Sequence, residues 1–226
     1  RNYLHTATDY NTPEIRKEAA LRLLAIPPIS SDPDIWRRLM IAADSNKDAN
    51  LVRQTYQYLI AAQKKFGKNA SYASSIGDTL TKYEMKKEAA AYWTTYVSFD
   101  RNSYESRECA SRLFTGMKEN VDAQLRFATE LFRHDTDYHG RYALWIAGIE
   151  FTRGNMPAFE KILRESRTRQ NQRLFRNWDF VETTAQSWVS TFRANKEKTN
   201  EEKQPETGKT TSRERREMPE VAGTLK

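Results

Sequence analysis

The chain has 226 residues, with 37 Lys and Arg against 30 Asp and Glu, 38% hydrophobic residues and one cysteine. The longest near-apolar run, 143–149, is far short of the ~20 residues that cross a bilayer, so a membrane-spanning helix is excluded and a soluble chain is expected. The lone Cys109 excludes an internal disulfide and a paired-cysteine metal or redox motif.

In chain order, Thr12-Pro13-Glu14 reads as a helix start: an N-cap, a proline at the first helical position, and an acid on the positive end of the helix dipole. Ile15, Ala19, Leu23 and Ile26 share one face until Pro27-Pro28 stops the helix. Asp32-Pro33-Asp34 starts a second helix with a stripe of Ile35, Trp36, Leu39, Met40 and Ala43, and a turn is expected at 45–48. A third helix follows through Leu51, Val52, Tyr56, Leu59, Ile60 and Gln63, with Gly67 suited to a left-handed cap. The stretch 71–100 then holds two short amphipathic segments around a polar turn at 82–87. Gly77 and Ala89 fall where those two helices would touch.

Two ladders run through the chain. Trp36, Ala73, Ser106 and Ala143 are separated by 37, 33 and 37 residues; the pairs Val52/Tyr56, Ala89/Trp93, Ala123/Phe127 and Ala158/Ile162 advance by 37, 34 and 35. The spacing Ala73-x2-Ile76-Gly77-x2-Leu80, followed by Ala89-x3-Trp93, resembles the tetratricopeptide hairpin, whose pattern carries Trp-x2-Leu-Gly-x2-Tyr and Ala-x3-Phe with a period near ~34. Ala73, Ser106 and Ala143 stand where that family prefers a large aromatic, and Met40 and Ala110 replace its glycine. The resemblance implies an all-α, right-handed α-solenoid of antiparallel helix pairs. Its repeat domain would span 1–194, with a half hairpin at 12–26, hairpins at 32–67, 70–100, 104–134 and 140–169, and a capping helix at 178–194. Val181, Ala185, Trp188, Val189 and Phe192 mark that cap, and the charged segment 195–226 is expected to be disordered. The half hairpin and the absence of a starting Met suggest a fragment of a larger protein or assembly, bacterial envelope and secretion machinery being among the settings such arrays serve.

No side chains converge on catalysis, so no enzyme, cofactor or metal is expected. The cluster His134-Asp135-Thr136-Asp137-Tyr138-His139 reads as a hydrated loop rather than a metal centre, because no third His or Cys lies near it. Cys109 reads as core, as do Trp36, Trp93, Trp145 and Trp188. Asn69-Ala70-Ser71 satisfies a glycosylation sequon of a kind that chance supplies. In the family resembled, first helices line a concave groove that receives a protein segment. Carried onto this chain, its exposed members would be Asp34, Arg37, Ser71, Ser74, Asp78, Tyr104, Arg107 and Arg141. The expected function is therefore a non-enzymatic scaffold for a protein or peptide partner, in the cytoplasm or cell envelope. An alternative is nucleic acid or another polyanion at Arg164, Arg167, Arg169, Arg173 and Arg176, since 141–176 holds eight basic residues against Glu150, Glu160 and Glu165.

Overall fold

The structure, a computed structural model, describes residues 12–26, 32–99, 103–134, 140–171 and 178–201. Among these there are ten helices and no strand, and consecutive helices pack in pairs, which is the all-α solenoid order expected. The chain divides into two compact units, Arg1–Gly116 and Met117–Lys226.

The first unit holds α1 (Pro13–Leu24), α2 (Pro33–Ser45), α3 (Ala49–Phe66), α4 (Ala73–Lys82), α5 (Lys86–Phe99) and α6 (Tyr104–Gly116). Each hairpin pairs a first helix with a second, α2 with α3 and α4 with α5, while the first helices α2, α4 and α6 also touch in series. The ladder positions occupy equivalent seats: Trp36, Ala73 and Ser106 are buried on the first helices, Val52 and Ala89 on the second. The starts follow the sequence signals with one exception. Asp32 accepts from the Asp34 amide at 3.0 Å and Asp48 from the Leu51 amide at 3.0 Å, whereas the Thr12 side chain makes no cap bond and leaves α1 to its proline and Glu14. Ile15, expected on the inner face of α1, is 44% exposed; the packed residues are Ala19, Ala20 and Leu23, an arc that excludes it.

Within a hairpin the approach is set by size. Trp93 of α5 lies against Gly77 of α4 so closely that a Cβ there would sit 2.0 Å from the indole nitrogen, and that N–H donates to the Ser74 carbonyl at 3.3 Å. The hairpin turns share one geometry. Lys47 and Glu84 take positive φ of 51° and 61°, and crossed amide bonds close each helix end: Asp48 to Ala43 and Lys47 to Asp44, Met85 to Leu80 and Glu84 to Thr81. This is the Schellman closure, which satisfies carbonyls that the helix end would orphan. The second turn is shorter than the polar 82–87 expected, and Met85 is buried within it.

The second unit holds α7 (Val121–Arg133), α8 (Arg141–Thr152), α9 (Met156–Asn171) and α10 (Trp178–Glu201). Its α8–α9 turn repeats the closure with Gly154 at φ 73°, Asn155 bonding Glu150 and Gly154 bonding Phe151. Ala143 is fully buried, but Ala123 and Ala158 are only half-buried, so the second-helix ladder is less enclosed here. Helix α10 packs on α8 and α9 through buried Val181, Ala185 and Trp188, with Phe192 edge-on to Phe151 at 5.6 Å; it continues to Glu201, past the expected end at Ala194. Covering the apolar side of a neighbouring hairpin is what a capping helix does in a helical array. Of the other tryptophans, Trp36 and Trp93 are buried and Trp145 is half-buried beside Tyr142.

Candidate first-helix docking face

In the first unit the helices α2, α4 and α6 turn their inner arcs to α3 and α5 and leave a common outer arc. On α2 this arc carries Asp34, Arg37, Arg38 and Ile41; on α4, Ser75, Asp78 and Lys82; on α6, Tyr104, Arg107 and Ser111. Of the expected site residues, Asp34, Arg37, Asp78, Tyr104 and Arg107 therefore share one face. Ser74 does not. It is 8% exposed, because position 74 turns toward α6: the Glu105 carboxylate accepts from its amide at 2.9 Å and from its hydroxyl at 2.8 Å. Tyr72 occupies the N-cap seat of α4 in a left-handed conformation with no side-chain cap bond, so Glu105 caps this helix from the next hairpin.

The charged members of the face are engaged with each other. Arg37 and Arg38 converge on Asp34 at 3.0 and 2.6 Å. Burial raises the Asp34 carboxyl, but its bonds to Arg38 and then Arg37 outweigh that and hold it below the ordinary range. Arg112 of α6 grips Asp78 of α4 at 3.1 Å while also bonding Glu108. At the hairpin ends, Asp44 of α2 accepts from Lys82 at 2.6 Å and from the Tyr83 hydroxyl at 2.9 Å. Burial acts against the Asp44 charge and these two bonds overcome it, lowering its pKa; burial, and then the Asp44 bond, push the Tyr83 phenol up to about 12. What the face offers outward is more aromatic than the sequence suggested. Tyr104 is 64% exposed, and Tyr72 is 37% exposed with the Arg37 guanidinium 5.0 Å above its ring.

Behind this face a polar and aromatic seam joins α3 to α5. Gln63 donates to both Tyr92 and Tyr96, whose rings lie 4.9 Å apart, and Tyr56 meets Tyr92 edge-on at 6.1 Å. Next to the seam is a cavity of about 10 Å³ lined by Trp36, Gln63, Asn69, Ser71, Ile76 and Tyr92. That is room for about one water and no larger ligand. Cys109 is fully buried, and burial pushes its thiol up to about 12, which suits core rather than nucleophilic duty.

In the second unit, Arg141 begins α8 and is half-buried. Of the expected polyanion set, Arg164 pairs with Glu160 at 3.5 Å and Arg167 is exposed. Arg169 lies 3.8 Å over the Phe132 ring, donates to the Phe132 carbonyl and pairs with Glu165, so it ties α9 to the end of α7. Arg173 and Arg176 fall outside the described residues, as do His139 and the other members of its cluster except His134.

Sequence reasoning missed the bonds between hairpins. Polar contacts that join one hairpin to the next span 29 to 39 residues: Arg16 to Ser45, Ser74 to Glu105, Gln63 to Tyr96, Asp78 to Arg112, Asp44 to Tyr83. The second unit adds Asp122 to Arg153. Opposite charges or donor and acceptor pairs one repeat apart were the available signal. Compared with known proteins, the chain matches no family model, no curated protein and no solved structure.

Proposed function

We propose that this chain is a non-enzymatic docking scaffold of tetratricopeptide-like hairpins, and that the outer arc of α2, α4 and α6 receives a segment of a protein partner. One observation carries the reading. The polar bonds from each hairpin to the next hold these three first helices in register before any partner arrives, and a preorganised surface avoids part of the ordering cost of association. Because the face's carboxylates and guanidinia already bond one another, the anchoring falls to Tyr72, Tyr104 and Ile41, large side chains that lose little freedom on burial. Arg107 and Arg37 flank them.

The test uses the full chain as bait, with and without the pair Tyr72→Ala and Tyr104→Ala, against a control pair on the outer side of α5, Thr94→Ala and Ser98→Ala. A partner retained by the parent and the control but lost with the tyrosine pair supports the reading. The same partners retained by all three would remove this face from consideration.

A further inference from the structure

The first unit carries a second surface, distinct from the first-helix face. From 49 to 77 the sequence contains no Asp or Glu, yet it holds Arg53, Lys64, Lys65 and Lys68. An acid-free stretch of this length is unusual in a chain with 30 acidic residues among 226. Almost all of it is helix α3 and the loop that follows. The inner arc of α3 is spent on Leu51, Val52, Thr55, Leu59 and Ala62. With ~100° between successive residues, Arg53, Gln57 and Lys64 fall within a narrow sector of the opposite side, and all three are exposed. Lys68, also exposed, lies in the loop past the helix end. From Arg53 to Lys64 the row runs ~16 Å at ~1.5 Å per residue.

Elsewhere in this unit several cations are matched to acids, Lys17 to Asp48, Arg38 to Asp34, Lys82 to Asp44 and Arg112 to Asp78, while Lys47 and Lys87 are, among the described residues, exposed without such a pair. Among the described residues, Arg53, Lys64 and Lys68 enter no such pair. Glu88 of α5 acts on Tyr56, on the flank of α3 turned to that helix. Phe66, 40% exposed with Lys65 5.0 Å over its ring, follows Leu59 and Ala62 along the inner arc, about 160° around the helix from Lys64, and is not part of the row.

We infer that the outer side of α3, with Arg53 and Lys64 as its charged row and Lys68 in the loop beyond, is an interaction surface for an acidic polypeptide segment. Carboxylates along the segment meet these cations. A phosphodiester chain is the poorer match. Its affinity grows with the number of phosphates neutralised, which three or four cations keep small, and no ring stands in the row for a base to stack on. The surface belongs to a second helix, so it stands whether or not the first-helix face docks a partner.

The experiment is fluorescence anisotropy with the full chain and a labelled peptide of repeated Glu-Glu-Leu-Glu-Gly units. The same titration is run with an oligothymidylate of equal length and with a peptide in which Gln replaces Glu. The variant joins Arg53→Gln, Lys64→Gln and Lys68→Gln, all exposed, with circular dichroism to show an unchanged helix content. A control joins Lys161→Gln, Arg164→Gln and Arg167→Gln in the second unit. The expected result is binding of the acidic peptide that weakens about tenfold in the α3 variant, is unchanged in the control, and falls with salt. No binding, equal loss in variant and control, or tighter binding of the oligothymidylate than of the peptide would each overturn the assignment.

Discussion

Replacing Gly77 by alanine sets two opposed effects against each other. In a helix interior, alanine is favoured over glycine by about 1 kcal/mol, so a glycine at an open position should be stabilised by the change. Gly77 is not open: the new methyl would lie 2.0 Å from Nε1, 2.4 Å from Cε2 and 2.8 Å from Cδ1 of Trp93. The indole is a rigid plate in a packed site and must retreat by more than an ångström. Overpacking of this kind costs about 1–3 kcal/mol, and the retreat also breaks the indole bond to the Ser74 carbonyl, worth about 1 kcal/mol. The net expectation is a loss of about 1–3 kcal/mol, or roughly 4–8 °C of melting temperature for each kcal/mol in a unit of this size. Urea and thermal unfolding by circular dichroism measure it directly. If Gly77→Ala melts at or above the parent, propensity has won and the close hairpin approach is wrong. A cycle with Trp93→Ala adds a second reading: with the indole gone the methyl has room, so the double variant should be less destabilised than the two single losses combined.

Lys47→Gly and Glu84→Gly should each stabilise the chain by about 1 kcal/mol, since both residues are held at positive φ where a Cβ is penalised, while Gly154→Ala should lose a similar amount; shifts in the urea midpoint decide all three. Glu105→Ala should cost about 1–2 kcal/mol by leaving the Ser74 amide without its cap, and Glu105→Gln should restore part of that; a neutral alanine variant would show that the cap is not formed in solution. Tyr83 sets an alkaline limit. Its folded pKa of about 12 lies above the unfolded value near ~10, so its contribution is complete below pH ~10 and is lost as pH rises through about 12. Stability followed from pH 9 to 12 should therefore decline less steeply in Tyr83→Phe than in the parent, and parallel declines would refute the assignment.

The fold was legible because its determinants are local and repeated. Pro13 and Pro33 open helices α1 and α2, Asp32 and Asp48 cap theirs, and small residues sit where hairpins close, so each signal lies within a few residues of the structure it makes. The turn closures were less readable. Lys47 and Glu84 occupy left-handed positions that favour glycine, and nothing in a lysine or glutamate announces such a conformation; only Gly154, at the equivalent seat, carries the ordinary mark. Ile15 was misplaced because a three-to-four residue spacing is met by two neighbouring arcs of a helix, and the choice between them belongs to α2 and α3, which sit elsewhere in the sequence.

The docking face was harder to read for a physical reason particular to repeats. A charged residue one step outside a buried anchor has two claimants: a ligand, and the matching residue of the adjoining hairpin, which the fold brings to the same height. Asp78 illustrates the outcome. Its place on α4 is where a partner contact was expected, yet Arg112, 34 residues on, already holds it. Ser74 follows the same rule with Glu105 at 31 residues. A tether between successive hairpins requires complementary groups separated by about one period, whereas a ligand contact carries no such condition. Polar residues that bond a complement one period away are therefore better assigned to holding the array together. Among the described residues, cations that bond none, such as Arg53, Lys64 and Lys68, are where recognition by this chain should be sought first.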